Sequence, residues 1–490
     1  MSMPSDNRDL AARLQGLAAA HVVVVGDAML DRFVYGQVER ISPEGPIPVL
    51  RIARDAAMLG GAGNVARNLA ALGVGSSFLA VIGEDAAGRE LQALTAAETG
   101  VQNGLLIESG RPTSIKERYI AGGQQLLRAD RESLDDLAPA TAGSLIEAAK
   151  TALRKAGALV LSDYGKGVLQ PDRLRALIDA AYSAGKPVVV DPKGRDYDVY
   201  RGASLVTPNR RELSEASGRA VESEAEIEAA CRALIADYGL GAVLATRSQE
   251  GMTLVVDGAP AQHFAAEARE VFDVSGAGDT VAAVVAAGLA AGLSLTDAAR
   301  LANVAAGVVV GKVGTAVAAL DELRRALHAA EFLAAETKVV GRETLLAELE
   351  RWRDSGLKIG FTNGCFDLLH PGHVHLLHQA RAACDRLVVG LNSDTSVTRL
   401  KGAGRPVQSE AARATVLASL GDVDRVVVFN EDTPLALIEA IKPDVLVKGA
   451  DYTVEQVVGA DIVQRHGGRV LLAELAPGHS TSATLRKLGE

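Results

Sequence analysis

Along the first 320 residues, short uninterrupted apolar runs alternate with stretches whose apolar positions recur every three or four residues. The runs HVVVVGD (21–27), SSFLAVIGED (76–85), ALVLSDY (158–164), PVVVDPK (187–193), SLVTPN (204–209) and AVLATRS (242–248) predict strands. They are continuous rather than alternating, the pattern of strands covered on both faces. Between them, Asp172–Ala184 and Ser223–Tyr238 predict amphipathic helices. Strand and helix in alternation give an α/β fold with a doubly wound parallel sheet. PIPVLRIA (46–53) breaks the rhythm and predicts a small accessory sheet.

After Leu320 the pattern restarts. DELRRALHAAEFLAAETK predicts a polar helix ending near Lys338, and GRETLLAELERWRDSG predicts another. Fresh strands follow at LKIGFTNG (357–364), RLVVGLNSD (386–394), RVVVFNED (425–432), DVLVKGAD (444–451) and RVLLAEL (469–475). This is a second, smaller, Rossmann-like α/β unit. The boundary is expected at 335–342, giving domains 1–335 and 342–490 with no evident repeat between them.

The length of 490 residues agrees with two or three domains. Acidic residues number 61 against 51 basic ones, a net charge of −10, which argues against bulk binding to nucleic acid or an anionic membrane. An aromatic fraction of 3% leaves little for a base-stacking platform. Cys231, Cys365 and Cys384 form neither a CxxC pair nor a metal-ligand spacing. The N-terminus carries acids and no long apolar segment, so it reads without a signal peptide. Thr280–Thr296 is uncharged, yet marginally short for a span, and reads as a buried helix. A cytoplasmic protein with no nucleic-acid or membrane partner is expected.

DVSGAGDT (273–280) is the strongest chemical signal of the first half. Gly276 and Gly278 allow a tight turn that leaves amides pointing outward at a helix N-terminus, where they can meet a phosphate. Asp279 in the same turn would repel that phosphate unless it serves another task, either deprotonating an attacking hydroxyl or capping the helix. LGGAGNVARNLAALG (59–73) satisfies a dinucleotide fingerprint through Gly61, Gly63 and Ala66. The fingerprint should follow the first strand, however, and that strand ends in Gly26–Asp27. A dehydrogenase built on this run would bind NAD.

Together with GDAMLD (26–31), DPKGRD (191–196), TPNRREL (207–213) and ANVAAG (302–307), these segments resemble the ribokinase-type, or phosphofructokinase B, sugar kinases over about residues 20–325. The resemblance implies an ATP-dependent kinase with Asp279 as base and the 275–278 amides on the transferring phosphoryl group. It also implies Asn209, Arg210, Arg211, Glu212, Ser275, Gly276, Ala277, Gly278 and Asn303 at the nucleotide, with Glu212 serving Mg²⁺ indirectly and a monovalent cation as a further candidate. Asp27, Asp31, Gly60, Gly61 and Asn64 match the sugar-contacting positions. The accessory sheet would be a lid that pairs two subunits into a homodimer. Lys116, Arg118 and Lys193 lie near the implied sugar site, either to hold a phosphate already on the sugar or as ordinary solvated charges.

In the second half, TNGCFDLLHPGHVHLL (362–377) places His370 and His373 around Pro371–Gly372 where a helix begins. The spacing is too close for a one-face zinc pair and lacks a third ligand. Both imidazoles instead suit an anion such as a pentavalent α-phosphate; His375 and His378 read as helix surface. KGAGRP (401–406) supplies Lys401 and Arg405, VKGADY (447–452) supplies Lys448, and GHSTSATLRKL (478–488) supplies Ser480, Thr481 and Ser482. This half resembles the cytidylyltransferase-like nucleotidyltransferases, which implies direct attack of a phosphate oxygen on ATP or CTP. Thr362, Asn363, Gly364 and Phe366 would join the nucleotide site. The terminal STS departs from the STT frequent in close relatives but keeps a hydroxyl.

A kinase followed by such a transferase, with RISPEGPIPV (40–49) and DYGKGVL (163–169), resembles the bacterial bifunctional heptose-phosphate enzymes. That implies phosphorylation of D-glycero-β-D-manno-heptose 7-phosphate at C1, then adenylyl transfer to heptose 1-phosphate for lipopolysaccharide core assembly. The competing readings are a CTP-dependent fusion acting on another sugar phosphate and a non-catalytic nucleotide sensor.

Overall fold

The computed structural model describes residues 7–266, 271–312, 314–450 and 452–474. The chain forms two compact units divided between His328 and Ala329, inside the helix Leu320–Lys338 and a few residues before the expected boundary.

In the first unit the strands are β1 (His21–Gly26), β2 (Ala28–Ile41), β3 (Pro48–Gly61), β4 (Gly75–Gly83), β5 (Val101–Glu108), β6 (Ser114–Ala121) and β7 (Gln124–Arg131). They continue as β8 (Ala158–Ser162), β9 (Val188–Asp191), β10 (Leu205–Val206), β11 (Ala242–Thr246), β12 (Met252–Val256) and β13 (Gln262–Phe264). Nine of them form one sheet in the order β13-β12-β11-β10-β9-β8-β1-β4-β5. Its pairings are parallel except those of β12 with β11 and with β13. Val22 and Val24 of β1 enter one core while Val23 and Val25 enter the core on the opposite face. Helices on both faces thus explain why these strands read as unbroken apolar runs. The uncharged stretch forms the helix Ala277–Ala290, whose residues from Asp279 to Gly288 are all buried, and the turn that follows it. Among the described residues no helix is long and apolar enough to cross a membrane.

The accessory sheet is larger than PIPVLRIA alone foretells. It has four strands in the order β3-β2-β6-β7, and its two longest strands have 14 residues each. Every residue of β7 is exposed, so it carries no core-facing pattern to read.

The second unit holds β14 (Ile359–Gly364), β15 (Arg386–Asn392), β16 (Arg425–Phe429), β17 (Val445–Gly449) and β18 (Arg469–Ala473). These form a parallel sheet in the order β16-β15-β14-β17-β18, again with apolar clusters on both faces. Strand order reverses beside β14, and in such sheets ligands bind beyond the carboxyl ends at that reversal.

Candidate active sites

At the end of β1, Asp27 is 1% exposed. Its carboxylate accepts hydrogen bonds from the amides of Tyr164 (2.9 Å), Lys166 (3.0 Å) and Val168 (3.2 Å). Both oxygens of Asp27, a residue expected at the sugar, draw in the loop after β8. Asp31 accepts a hydrogen bond from Arg118 at 2.8 Å. The other Asp31 oxygen lies against Gly60, where an added Cβ would come within 2.5 Å of it. Arg118 and Asp31, both expected at the sugar, therefore neutralise each other. Gly61 precedes the helix Ala62–Ala71, which carries Asn64.

The helix Ala277–Ala290 begins after Gly276, whose φ of +80° is left-handed. A Cβ there would also meet Asn64 Nδ2 at 2.6 Å and Thr315 at 2.8 Å, so only glycine fits. Asp279, third in the helix, does not cap it. Its Oδ2 accepts from Asn64 Nδ2 at 2.9 Å and its Oδ1 from the Tyr164 hydroxyl at 2.8 Å. Burial pushes the carboxyl up to about 6, against the two hydrogen bonds that favour its charged form. Of the four amides expected on the phosphoryl group, that of Ser275 donates to Asp273 and that of Ala277 to the Val274 carbonyl. Gly276 and Gly278, at the helix start, are the amides left to meet an anion.

A cavity of about 1000 Å³ opens over this helix start. Tyr164, Asp191, Lys193, Glu212, Gly278 and Asn303 are among the residues lining it. Asn209 caps the helix Arg210–Ser217 in a reciprocal box with Glu212. Arg210 pairs with Glu250, Arg211 with Glu215, and Lys193 with Glu212 at 3.3 Å. Asn303 lines the cavity while its amide donates to the Ala265 carbonyl. Lys116 makes no ion pair among the described residues; its ammonium lies 5.1 Å from the centre of the Tyr164 ring, and burial lowers its proton affinity.

Sequence reasoning missed Tyr164, Asp163 and Asp191 as parts of this centre. Asp163 accepts from the Tyr200 hydroxyl at 2.6 Å, and burial pushes its carboxyl up to about 6. Asp191 is pushed well up by burial and then by the charges of Asp279 and Glu212. Their strand-end positions in ALVLSDY and PVVVDPK were the available signal.

In the second unit β14 leads through Gly364 to Phe366, at φ +42°, and to His370, which precedes the helix Pro371–Ala382. The His370 and His373 rings stack with centroids 3.9 Å apart, and Phe366 lies 5.2 Å from His373. Burial pulls His373 down to about 4, assisted by the charges of His370 and Lys401. His373 is therefore a neutral donor at neutral pH, and its Nδ1 is buried without a hydrogen-bond partner. Thr362 is buried, and Lys448 donates to the Asn363 carbonyl at 3.0 Å, which ties β17 to β14. Lys401 is exposed at the end of the helix Asp394–Lys401.

Arg405, expected at the nucleotide, is engaged by Asp367, which also accepts from the amides of Val407 and Gln408. The pair fastens the glycine-rich loop beside the histidines. Arg413, missed in sequence, is fully buried and donates to the carbonyls of Cys365, Asn392 and Gln408 and to Asp394. His375 and His378 are exposed, as expected. Ser480, Thr481 and Ser482 lie outside the described residues. No group of three or more His, Cys, Asp or Glu suited to holding a metal ion occurs among the described residues.

A buried carboxylate in the first turn of a glycine-opened helix and a stacked histidine pair at a second helix start define an enzyme with two transferase units. Residues 19–322 match the pfkB family of carbohydrate kinases, and residues 361–478 match the cytidylyltransferase-like family. The chain is 59% identical to the bifunctional protein HldE of Paramagnetospirillum magneticum, over 98% of each chain. It is 54% identical to that of Caulobacter vibrioides, over 98% of this chain and 99% of the relative. Ribokinase from Arabidopsis thaliana, solved with ribose and ATP, shares the fold at TM-score 0.51 and 23% identity, covering 63% of this chain and 98% of its own. Phosphofructokinase-2 from Escherichia coli, solved with potassium, does so at 0.53 and 22%, with the same coverages. The chain belongs to the HldE family of bifunctional enzymes, a carbohydrate kinase joined to a nucleotidyltransferase.

Proposed function

We propose that the first unit transfers the γ-phosphoryl group of ATP to the C1 hydroxyl of D-glycero-β-D-manno-heptose 7-phosphate. The second unit joins heptose 1-phosphate to AMP from ATP, giving ADP-heptose and pyrophosphate for lipopolysaccharide core assembly in the cytoplasm. The observation that carries this reading is Asp279, held through both oxygens in the first turn of a helix whose start can take a phosphate, beside a large cleft lined by its partner Tyr164 and its neighbour Gly278. Once ionised, it accepts the sugar hydroxyl's proton as the oxygen attacks phosphorus. With Arg118 and Lys193 paired to carboxylates, Lys116 is the cation that answers a phosphate already on the sugar. Mg²⁺ carried with the nucleotide would neutralise its phosphates, and Glu212 on the cavity wall would hold it through water, as suits an ion that keeps its hydration.

In the second unit, His370 and His373 donate to the α-phosphate as charge gathers on it and pyrophosphate leaves. Homodimer pairing falls to the lid sheet, where Ile41, Ile52 and Leu127 are each about 60% exposed.

The test is ³¹P NMR of the whole chain with Mg-ATP, in separate tubes holding heptose 7-phosphate or heptose 1-phosphate. ADP in the first and pyrophosphate in the second are expected. Pyrophosphate appearing only with CTP would reassign the second unit's nucleotide, and silence in both tubes would remove the heptose reading.

A further inference from the structure

We infer that Tyr164 is a positioning residue of the phosphoryl-transfer site, its hydroxyl fixing one oxygen of Asp279 where the sugar hydroxyl must arrive. The inference rests on the kinase reading of the first unit and adds a residue to it.

Three contacts hold the tyrosine. Its hydroxyl donates to Asp279 Oδ1 at 2.8 Å, while Asn64 takes Oδ2, so the carboxylate is fixed in both tilt and rotation. Its backbone amide donates to Asp27, which also gathers the amides of Lys166 and Val168. A buried aspartate with no exposed oxygen thereby gains a purpose: it locks the loop that presents the phenol. Finally, the Lys116 ammonium lies 5.1 Å from the ring centroid, where a cation draws on the π-face and strengthens the hydroxyl as a donor.

During transfer the sugar O–H proton passes to Asp279, the new O–P bond forms, and the bond from the γ-phosphorus to the bridging oxygen breaks, its electron pair leaving with ADP. Tyr164 exchanges no atom in this step. By donating to the ionised carboxylate it favours the charged form, so its loss makes Asp279 hold a proton to higher pH. The other ionisable groups acting on Asp279 are Asp31 from β2 and Asp191 from β9, which oppose its charge, and Lys116 from β6, which favours it. Asp31 is itself paired with Arg118. All of these remain when Tyr164 alone is changed.

The test uses the full chain in two forms, Tyr164→Phe and a difluorotyrosine at the same position. Phosphoryl transfer from ATP is followed from pH 5 to 9, with adenylyl transfer and thermal melting as controls on integrity. For the phenylalanine form, the acid limb of kcat/KM is expected to move up by about one pH unit, the size of one lost hydrogen bond to a charged group. kcat should fall while KM for the sugar phosphate stays within about twofold. Difluorotyrosine, a stronger donor of nearly the same shape, should move the limb down; it decides the matter alone if the phenylalanine form melts early. An acid limb unmoved by fluorination overturns the inference, as does a raised KM at unchanged kcat, which would put the phenol on the sugar. If the wild-type chain phosphorylates no sugar phosphate, the kinase reading fails first and takes the inference with it.

Discussion

Burial moves the ionisation of Asp279 up to about 6 and that of His373 down to about 4, and each shift has a consequence that can be measured. For Asp279 the folded chain binds a proton more readily than the unfolded one between about pH 4 and 6. Stability therefore falls as pH rises through that window, and the ionised carboxylate is a standing cost at neutral pH. Asp279→Asn is expected to abolish phosphoryl transfer and to raise the stability of the first unit at pH 8 by about 3 kcal/mol, a gain that vanishes near pH 4. Melting curves at the two pH values check the sign; a variant less stable at pH 8 would mean that its hydrogen bonds outweigh the desolvation. The wild-type kinase rate should decline below about pH 6 as the base protonates. For His373 the shift is opposite, so acid must charge a half-buried ring stacked on a second imidazole. Its NMR titration midpoint should lie near 4 in the free protein and rise when pyrophosphate is added. A midpoint near 6.5 in the free protein would mean that the ring is solvated.

At the scale of elements, the lid sheet offers the sharpest test. Ile52 on β3 and Leu127 on β7 are both 59% exposed on a sheet that packs little of its length against the main core. Apolar side chains on such strands invite another copy to cover them. The double substitution Ile52→Glu with Leu127→Glu should convert a dimer to a monomer in sedimentation, and an unchanged sedimentation coefficient would place the pairing elsewhere. The same sheet marks the limit of what the sequence discloses. Strands buried on both faces, such as β1 and β8, announce themselves as apolar runs and were legible, whereas β5, β12 and β13 toward the ends of their sheet were not. β2, β6 and β7 were not, because a strand half in solvent has no continuous run, and DRFVYGQVER reads as readily as a loop. In the sites, residues lying in glycine-rich or histidine motifs were legible as a set. What stayed hidden was the partner of each charge: Arg118 with Asp31, Arg405 with Asp367, and Tyr164 with Asp279 join segments 38 to 115 residues apart, a separation no local pattern encodes.

Across the whole molecule, the two chemistries sit in units with separate sheets and separate cores. Asp279 belongs to the first and the His370–His373 pair to the second, and each stands at its own helix start. Each of these helix starts lies within one unit, so the sites are expected to fail independently. Asp279→Asn should lose phosphoryl transfer and keep adenylyl transfer, while His373→Ala should do the reverse, with the affected rate falling at least about a hundredfold. Mixing the two variants, with a phosphatase supplied to remove the 7-phosphate, should restore production of the nucleotide sugar from the starting sugar phosphate. The intermediate would then pass through solution between different chains. If one substitution silenced both reactions in a chain that still melts as two units, the independence of the sites would be wrong. Communication through the helix Leu320–Lys338, which joins the units, would then be the next thing to measure.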